Sequence, residues 1–375
     1  MVLSLFLTIG DANAFSYFPP PLKQITDGVL PENITCAEGL QIVLKHSNNL
    51  PACVKASSID KLLERGWAME IIPLTTTIDF ETKISEKAIE IWNYALDKEQ
   101  SEVEDENIQG PTDDGYEIIF YDVSGDEIFF NQSSKLPSFL QHWQDDATKH
   151  HKIWNVFVKL IPESQRNVNQ FYITTDGIGM IGGGVNRDLQ DVSMWSLFYD
   201  ISDVYPNGVY NEKEVIHTTI HEFGHILTSN IDQIEVYEEL VDFSSENYDE
   251  YYDIKSQECF PNLMVVDGCA KSNSYINQFY QEFWGDISSD WDEIQMIVDD
   301  DEYYEESDLF YEKYQDHFVT VYASTNIDED IAESWTAFVL NDKPTSNLIS
   351  SQKIQFFYDF PELVELREHI RQKIM

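Results

Sequence analysis

Basic residues are scarce in this sequence. Its 375 residues include 23 Lys and Arg against 68 Asp and Glu, which gives a net charge of −45. A chain this acidic is repelled by phosphate backbones and by anionic lipid headgroups. We therefore expect neither nucleic acid nor an acidic membrane surface among its partners.

The N-terminal apolar run is short. Residues 2–10 are apolar but too few to span a bilayer, so we predict no membrane span. They are followed by Ala12-Asn13-Ala14, a pattern typical of a signal-peptide cleavage site. The usual preceding basic residues are absent, since Lys23 is the first positive charge, which favours a start inside a longer signal peptide. We predict that residues 1–14 are a signal peptide and that the protein is secreted or held at the cell surface.

Cysteines are few, and none of the four stands in a Cys-x-x-Cys grouping, which argues against a structural zinc site built on thiolates. They form two locally spaced pairs, Cys36 with Cys53 and Cys259 with Cys269. Proximity predicts a disulfide within each pair, as in an oxidising compartment, and four free buried thiols are the alternative. Residues 15–70 then form a small disulfide-closed module with its linker.

Residues 71–375 carry the patterns of one larger α+β domain. Apolar spacing predicts a helix over residues 83–96, and strand-like runs follow at residues 116–121, 154–160, 171–175 and 195–201. From Lys213 onward helical patterns dominate. We predict a mixed twisted sheet, then an active-site helix and a mostly helical C-terminal lobe. Residues 177–182 match a dinucleotide-binding glycine pattern, but no helical pattern follows, so we interpret them as a hairpin turn.

The segment His221-Glu-Phe-Gly-His225 carries the chemistry. Histidines four residues apart lie on one helical face and can bind a single metal ion. A Zn²⁺ with three protein ligands keeps a fourth position for water and lowers the pKa of that water to about 7. Glu222 is then placed to accept its proton. His217 lies about 12 Å of helix from His225, too far to share the ion, which favours a packing or supporting role.

The third ligand is left open by spacing alone. The metzincin class is excluded, because Thr228 and Ile231 stand where it needs Gly and His. Glu329 and Glu333 share one face of a later predicted helix with Asn326 as a plausible cap. Glu238 also competes, although only thirteen residues separate it from His225, which leaves little chain for a returning helix.

The two zinc-helix segments together resemble the gluzincin peptidases of the anthrax lethal factor type, in an exported archaeal or bacterial form. The resemblance rests on His-Glu-x-x-His and on Tyr322 followed by Thr325-Asn326 and two glutamates four apart. It implies that Glu329, seven residues after Tyr322, is the third zinc ligand, that Tyr322 hydrogen-bonds the oxyanion, and that Glu333 supports the site. The 104 residues between His225 and Glu329 exceed that family's compact form.

The expected function is hydrolysis of a peptide or protein substrate. Related zinc peptidases bind substrate against an edge strand, and residues 195–201 are the candidate, with an ordinary buried strand as the alternative. The competing hypothesis is a noncatalytic surface-binding protein that keeps a zinc-peptidase fold and interacts through its N-terminal module.

Overall fold

The computed structural model describes residues 23–24, 34–37, 40–45, 51–65, 68–69, 74–103, 115–176, 182–241 and 248–374. The predicted signal peptide and most of the predicted glycine turn, residues 177–181, lie outside these ranges. The chain divides into two compact units, one up to Glu81 and one from Thr82 onward. Within the described ranges, no helix combines the length and apolarity that crossing a membrane would require.

The first unit contains a small antiparallel sheet. Its elements are β1 (Leu40–Lys45), β2 (Pro51–Lys55), helix α1 (Ile59–Glu64) and β3 (Ala68–Met69). β1 lies between β2 and β3. Cys36 and Cys53 form a disulfide with their Cα atoms 5.6 Å apart. The predicted N-terminal pairing is therefore confirmed.

The second unit contains a mixed five-stranded sheet. Its strands are β4 (Tyr116–Ser124), β5 (Glu127–Ser133), β6 (Val168–Thr175), β7 (Gly183–Arg187) and β8 (Trp195–Asp200). Their order is β5-β4-β6-β8-β7, with β6 and β8 parallel and the other neighbours antiparallel. The predicted α+β class with a mixed sheet is confirmed.

The rest of the second unit is mostly helical, and helices predominate after β8. The second unit holds α2 (Leu74–Val103, from Thr82 onward), α3 (Gln141–Gln144), α4 (Ala147–Leu160), α5 (Ile201–Val204), α6 (Glu212–Ser229), α7 (Glu238–Val241), α8 (Tyr248–Cys259), α9 (Tyr275–Phe283), α10 (Ser288–Ile294), α11 (Asp300–Lys313), α12 (Ile327–Leu340), α13 (Ile349–Phe356) and α14 (Pro361–Ile374). The helix predicted over residues 83–96 lies within α2.

A second, small sheet lies among these helices. It comprises β9 (Ile234–Val236), β10 (Met264–Val265) and β11 (Gly268–Ala270), with β11 between the other two. The predicted disulfide between Cys259 and Cys269, with a Cα separation of 5.4 Å, ties the end of α8 to β11. Both predicted pairings are thus present.

One predicted strand is wrong. Residues 154–160 belong to α4, not to a strand. The buried side chains of that helix recur at helical spacing, at His150, Ile153, Trp154, Phe157 and Leu160. The apolar Trp154, Val156 and Val158 imitate an alternating pattern when the run is read from Trp154 alone.

Candidate active site

Helix α6 carries the His-Glu-x-x-His segment. The Asn211 side chain caps its first turn by accepting a hydrogen bond from the backbone N–H of Glu214 at 3.4 Å. Its apolar stripe, formed by Ile216, Ile220, Phe223 and Leu227, is buried. Packing of this stripe turns His221 and His225 toward the neighbouring helix.

Helix α12 faces α6 and begins at a capped turn. The Asn326 side chain accepts a hydrogen bond from the backbone N–H of Glu329 at 2.9 Å, as the sequence predicted. Glu329 therefore lies in the first turn of α12, where the cap fixes its backbone. Further along, the buried Asp330 pairs with the buried Lys353 and accepts a hydrogen bond from Trp284 Nε1 at 2.7 Å. These contacts fix the register of α12 against α9 and α13.

Gly224 allows the two helices to approach closely. A Cβ atom at this position would lie 3.0 Å from the Trp335 ring and 3.2 Å from the Cα of Ala332. Both neighbours belong to α12, so a larger side chain would push α12 away. The close approach allows side chains of α6 and α12 to contact one another.

Three side chains meet at this contact, from positions far apart in sequence. Nε2 of His221 lies 3.2 Å from Nε2 of His225 and 3.0 Å from Oε2 of Glu329. Nε2 of His225 lies 3.3 Å from the same Glu329 oxygen. Within the described ranges, these three residues are the group whose nitrogen and oxygen atoms lie close enough together to bind one metal ion.

Glu333 holds the other side of the His221 ring. Its Oε1 lies 2.7 Å from His221 Nδ1, and its Oε2 accepts a hydrogen bond from Thr320 Oγ1 at 3.0 Å. A carboxylate at Nδ1 favours the tautomer in which Nδ1 carries the proton, and in that tautomer Nε2 has a lone pair that could bind a metal ion.

Burial and neighbouring charges shift the pKa values of these groups in opposite directions. Burial alone would lower the pKa of His221, but its hydrogen bonds to Glu329 and Glu333 raise that pKa well above its usual range. Burial would raise the pKa of Glu329, but His225 and His221 hold it far below its usual range. Glu222 differs, because burial raises its pKa while the two histidines only partly offset that effect. A carboxylate with a raised pKa is better suited to accept and release a proton near neutral pH.

Tyr322 lies at the edge of the cluster, in a 3₁₀ turn that spans Tyr322–Ser324. Its ring centroid is 5.9 Å from that of His221. Burial of its hydroxyl group raises the pKa of Tyr322, and the negative charges of Glu329 and Glu222 raise it further. The phenol is therefore a protonated hydrogen-bond donor at neutral pH.

A cleft of about 610 Å³ opens beside the cluster, and β7 forms one of its walls. In the part of the chain that the structure describes, β7 has a hydrogen-bonded neighbour, β8, on one side only and is an edge strand of the five-stranded sheet. The predicted substrate-binding edge was residues 195–201, of which 195–200 form β8, and β8 lies between β6 and β7. That prediction is wrong, and the buried-strand alternative holds, because the short, glycine-rich β7 gave too weak a strand pattern to be recognised in the sequence.

β7 can pack this tightly only because it begins with glycine. A Cβ atom on Gly183 would lie 2.7 Å from Thr218 Cγ2 and 2.8 Å from the carbonyl oxygen of Phe198. At the other end of β7, the buried Arg187 pairs with Asp267 on the β10–β11 hairpin. Its guanidinium group also stacks 4.3 Å from the ring centroid of Trp195. Both ends of β7 are thus packed closely against neighbouring residues.

A second cleft, of about 930 Å³, extends from the other side of the cluster. It shares Gly183, His221, Glu222, Trp291 and Tyr322 with the first. Residues of α11 line its far wall, among them Tyr303 and Tyr311. The cluster therefore borders both clefts.

The structure distinguishes among the residues that the sequence left in competition. Glu329 reaches both histidines, Glu333 contacts the opposite nitrogen of His221, and Glu238 is exposed. His217 packs with its ring centroid 6.4 Å from that of His221, and its buried Nε2 has no hydrogen-bond partner in the described chain. Sequence reasoning missed β7, Arg187 and a contact from α2 to Tyr322, none of which has a local motif.

This chain matches no protein-family model, no curated protein and no solved structure. The function proposed next rests on the residues of the cluster and on their geometry.

Proposed function

We propose that this protein is a zinc-dependent endopeptidase. In this proposal His221, His225 and Glu329 hold the zinc ion, Glu222 is the general base, and Tyr322 donates a hydrogen bond to the oxyanion. Glu333 orients His221. The observation that carries the proposal is the convergence of His221, His225 and Glu329 beside a buried glutamate in an open cleft.

The distances within the cluster are compatible with a zinc ion. Around a tetrahedral Zn²⁺ with bonds of about 2.0–2.2 Å, ligand atoms are separated by roughly 3.3–3.6 Å. The three separations here are 3.2, 3.0 and 3.3 Å, so small outward shifts would accommodate the ion. Two imidazoles and one carboxylate are also the ligand set of catalytic zinc sites that leave one position open. Glu333 supplies the outer carboxylate that such histidine ligands commonly have.

Each side chain then has a distinct task. His221, His225 and Glu329 would hold the zinc ion, which would act as a Lewis acid toward the peptide carbonyl and lower the pKa of water to near neutral. Glu222 takes the proton from the attacking water and delivers it to the leaving amine. The phenol of Tyr322 stabilises negative charge that develops on the carbonyl oxygen. Glu222 is held by helix α6 and Tyr322 by its 3₁₀ turn, which reduces the reorganisation of these side chains during the reaction.

The substrate lies along β7 in this proposal. An extended peptide adds to an exposed strand edge through main-chain hydrogen bonds, and β7 presents such an edge to the cleft. Since two clefts border the cluster, we infer that chain extends in both directions from the cleaved bond. That arrangement supports internal cleavage. The two disulfides are compatible with an extracellular protein, so we propose that it acts after secretion or at the cell surface.

Removing the metal should abolish activity reversibly. We expect wild-type protein to cleave members of a mixed peptide library, to lose this activity after treatment with a zinc chelator, and to regain it with about one zinc ion per chain. Cleavage products identified by mass spectrometry check internal cleavage. If no peptide is cleaved by protein that binds zinc stoichiometrically, the noncatalytic binding protein becomes the better hypothesis.

Replacing Tyr322 by phenylalanine should separate catalysis from metal binding. We expect Tyr322→Phe to lower kcat by roughly 10²–10³-fold, because one donor to the oxyanion is lost. Zinc content should stay at the wild-type level, since the tyrosine is not one of the three ligands. Steady-state kinetics and metal analysis of the same sample check both expectations. A variant with unchanged kcat would remove Tyr322 from the mechanism while leaving the metal assignment intact.

A further inference from the structure

The last turns of α2 contact the metal-binding helix. Tyr94 donates a hydrogen bond from its hydroxyl to Glu214 Oε2 at 2.8 Å. Lys98 Nζ lies 3.0 Å from Glu214 Oε1 and 3.0 Å from Asp203 Oδ2. Glu214 is in the first turn of α6, on the same helix as His221. These partly buried contacts fix α2 against the N-terminal end of α6.

The next residue of α2 contacts the other half of the site. Oε1 of Glu99 accepts a hydrogen bond from the backbone N–H of Tyr322 at 2.7 Å. This N–H lies at the start of the 3₁₀ turn, where it has no acceptor within the turn itself. One residue later, the N–H of Ala323 donates to Thr320 Oγ1 at 3.0 Å, and Thr320 in turn donates to Glu333. The turn is therefore held at two successive amides.

Tyr322 depends on this anchoring more than a buried residue would. Its surface is 47% exposed, so packing restrains its ring only in part. A hydrogen bond to a carboxylate is stronger than one between neutral groups, and it also fixes the direction of the N–H bond. Where the backbone of Tyr322 is fixed, the position from which its phenol extends toward the cluster is fixed too.

We propose that Glu99 is a positioning residue that holds the turn of Tyr322 in place for the reaction, an inference that rests on the peptidase function proposed above. Because Lys98 and Tyr94 bind the metal helix, α2 sets the position of Tyr322 relative to His221. Glu99 lies outside the His221, His225 and Glu329 cluster, and its proposed role is exerted through the backbone of Tyr322.

The first test uses a matched set of variants. Glu99→Ala removes the acceptor and should lower kcat by about 10-fold with KM and zinc content unchanged. Glu99→Gln keeps an acceptor oxygen and should stay within about threefold of wild type. Glu90→Ala is the control, since Glu90 lies on the same helix and pairs with Lys213 at the surface, 2.6 Å away. It should leave kcat unchanged.

The second test is a double-mutant cycle. If Glu99 acts through Tyr322, the variant that combines Glu99→Ala with Tyr322→Phe should be no slower than Tyr322→Phe alone. A merely structural effect would lower kcat by the same factor in both backgrounds and would overturn the proposal.

Hydrogen exchange gives a readout that needs no activity. We expect Glu99→Ala to speed exchange of the Tyr322 amide, whereas Glu99→Gln and Glu90→Ala keep wild-type protection. Unchanged protection in Glu99→Ala would overturn the positioning role even in an active enzyme. Conversely, faster exchange in Glu99→Ala, together with a wild-type chain that binds zinc but cleaves no peptide, would retain the contact while rejecting the peptidase function.

Discussion

Glu222→Gln should abolish most peptide hydrolysis while the protein still binds about one zinc ion per chain. The substitution keeps the size of the side chain but removes the general base, whose contribution is typically 10²–10⁴-fold. Both histidines and Glu329 remain, so metal binding should not change. We expect kcat to fall by at least about 10²-fold, measured on the best peptide from the library, with zinc measured on the same preparation.

A matched control accompanies this variant. Glu163 is an exposed glutamate in another part of the second unit, and Glu163→Gln should keep wild-type turnover. Turnover by Glu222→Gln that equals wild type would rule out the mechanism in which Glu222 is the base. Loss of zinc together with activity would instead show that Glu222 supports the site structurally.

Glu329→Ala should cause the largest loss of zinc. It leaves two protein ligands, and it also removes the carboxylate that lies between His221 and His225. Since loss of an outer hydrogen-bonding partner already costs about 10–100-fold in metal affinity, loss of a direct ligand should weaken binding by at least about 100-fold. Competition with a chelator of known affinity measures the change.

Glu238→Ala provides the comparison for that experiment. Glu238 is exposed in α7 and lies outside the cluster, so this variant should bind zinc as wild type does. The opposite result, in which Glu238→Ala loses zinc and Glu329→Ala keeps it, would contradict the ligand assignment and the family resemblance together.

Local patterns in the sequence were sufficient for much of the fold near the site. The Asn326 cap and both disulfides depend on residues close in sequence, and each was predicted correctly. The proximity of Glu329 to His225 is different, because 104 residues separate them. Residue spacing alone could not decide whether Glu238, Glu329 or Glu333 is the third ligand. The family resemblance selected Glu329.

The errors have physical causes that a local pattern does not contain. The segment from Trp154 to Leu160 alternates well enough to suggest a strand, but its burial follows the helix that begins at Ala147. Which strand lies at the sheet edge depends on the order of all five strands, and β7 is too short and glycine-rich to be recognised. The contact of Glu99 with Tyr322 joins residues 223 positions apart and has no motif.

The glycine at the start of β7 limits how the cleft could be re-engineered. A side chain at Gly183 would collide with Thr218 and with the backbone of Phe198, so this position offers no route to altered selectivity. Randomising Gly183 in a library of variants would therefore yield few folded proteins. The opposite wall is more permissive, because Tyr303, Tyr304 and Asp308 of α11 line the second cleft and are partly or largely exposed. For the proposed peptidase, we therefore expect substitutions on α11 to alter selectivity more readily than substitutions at Gly183.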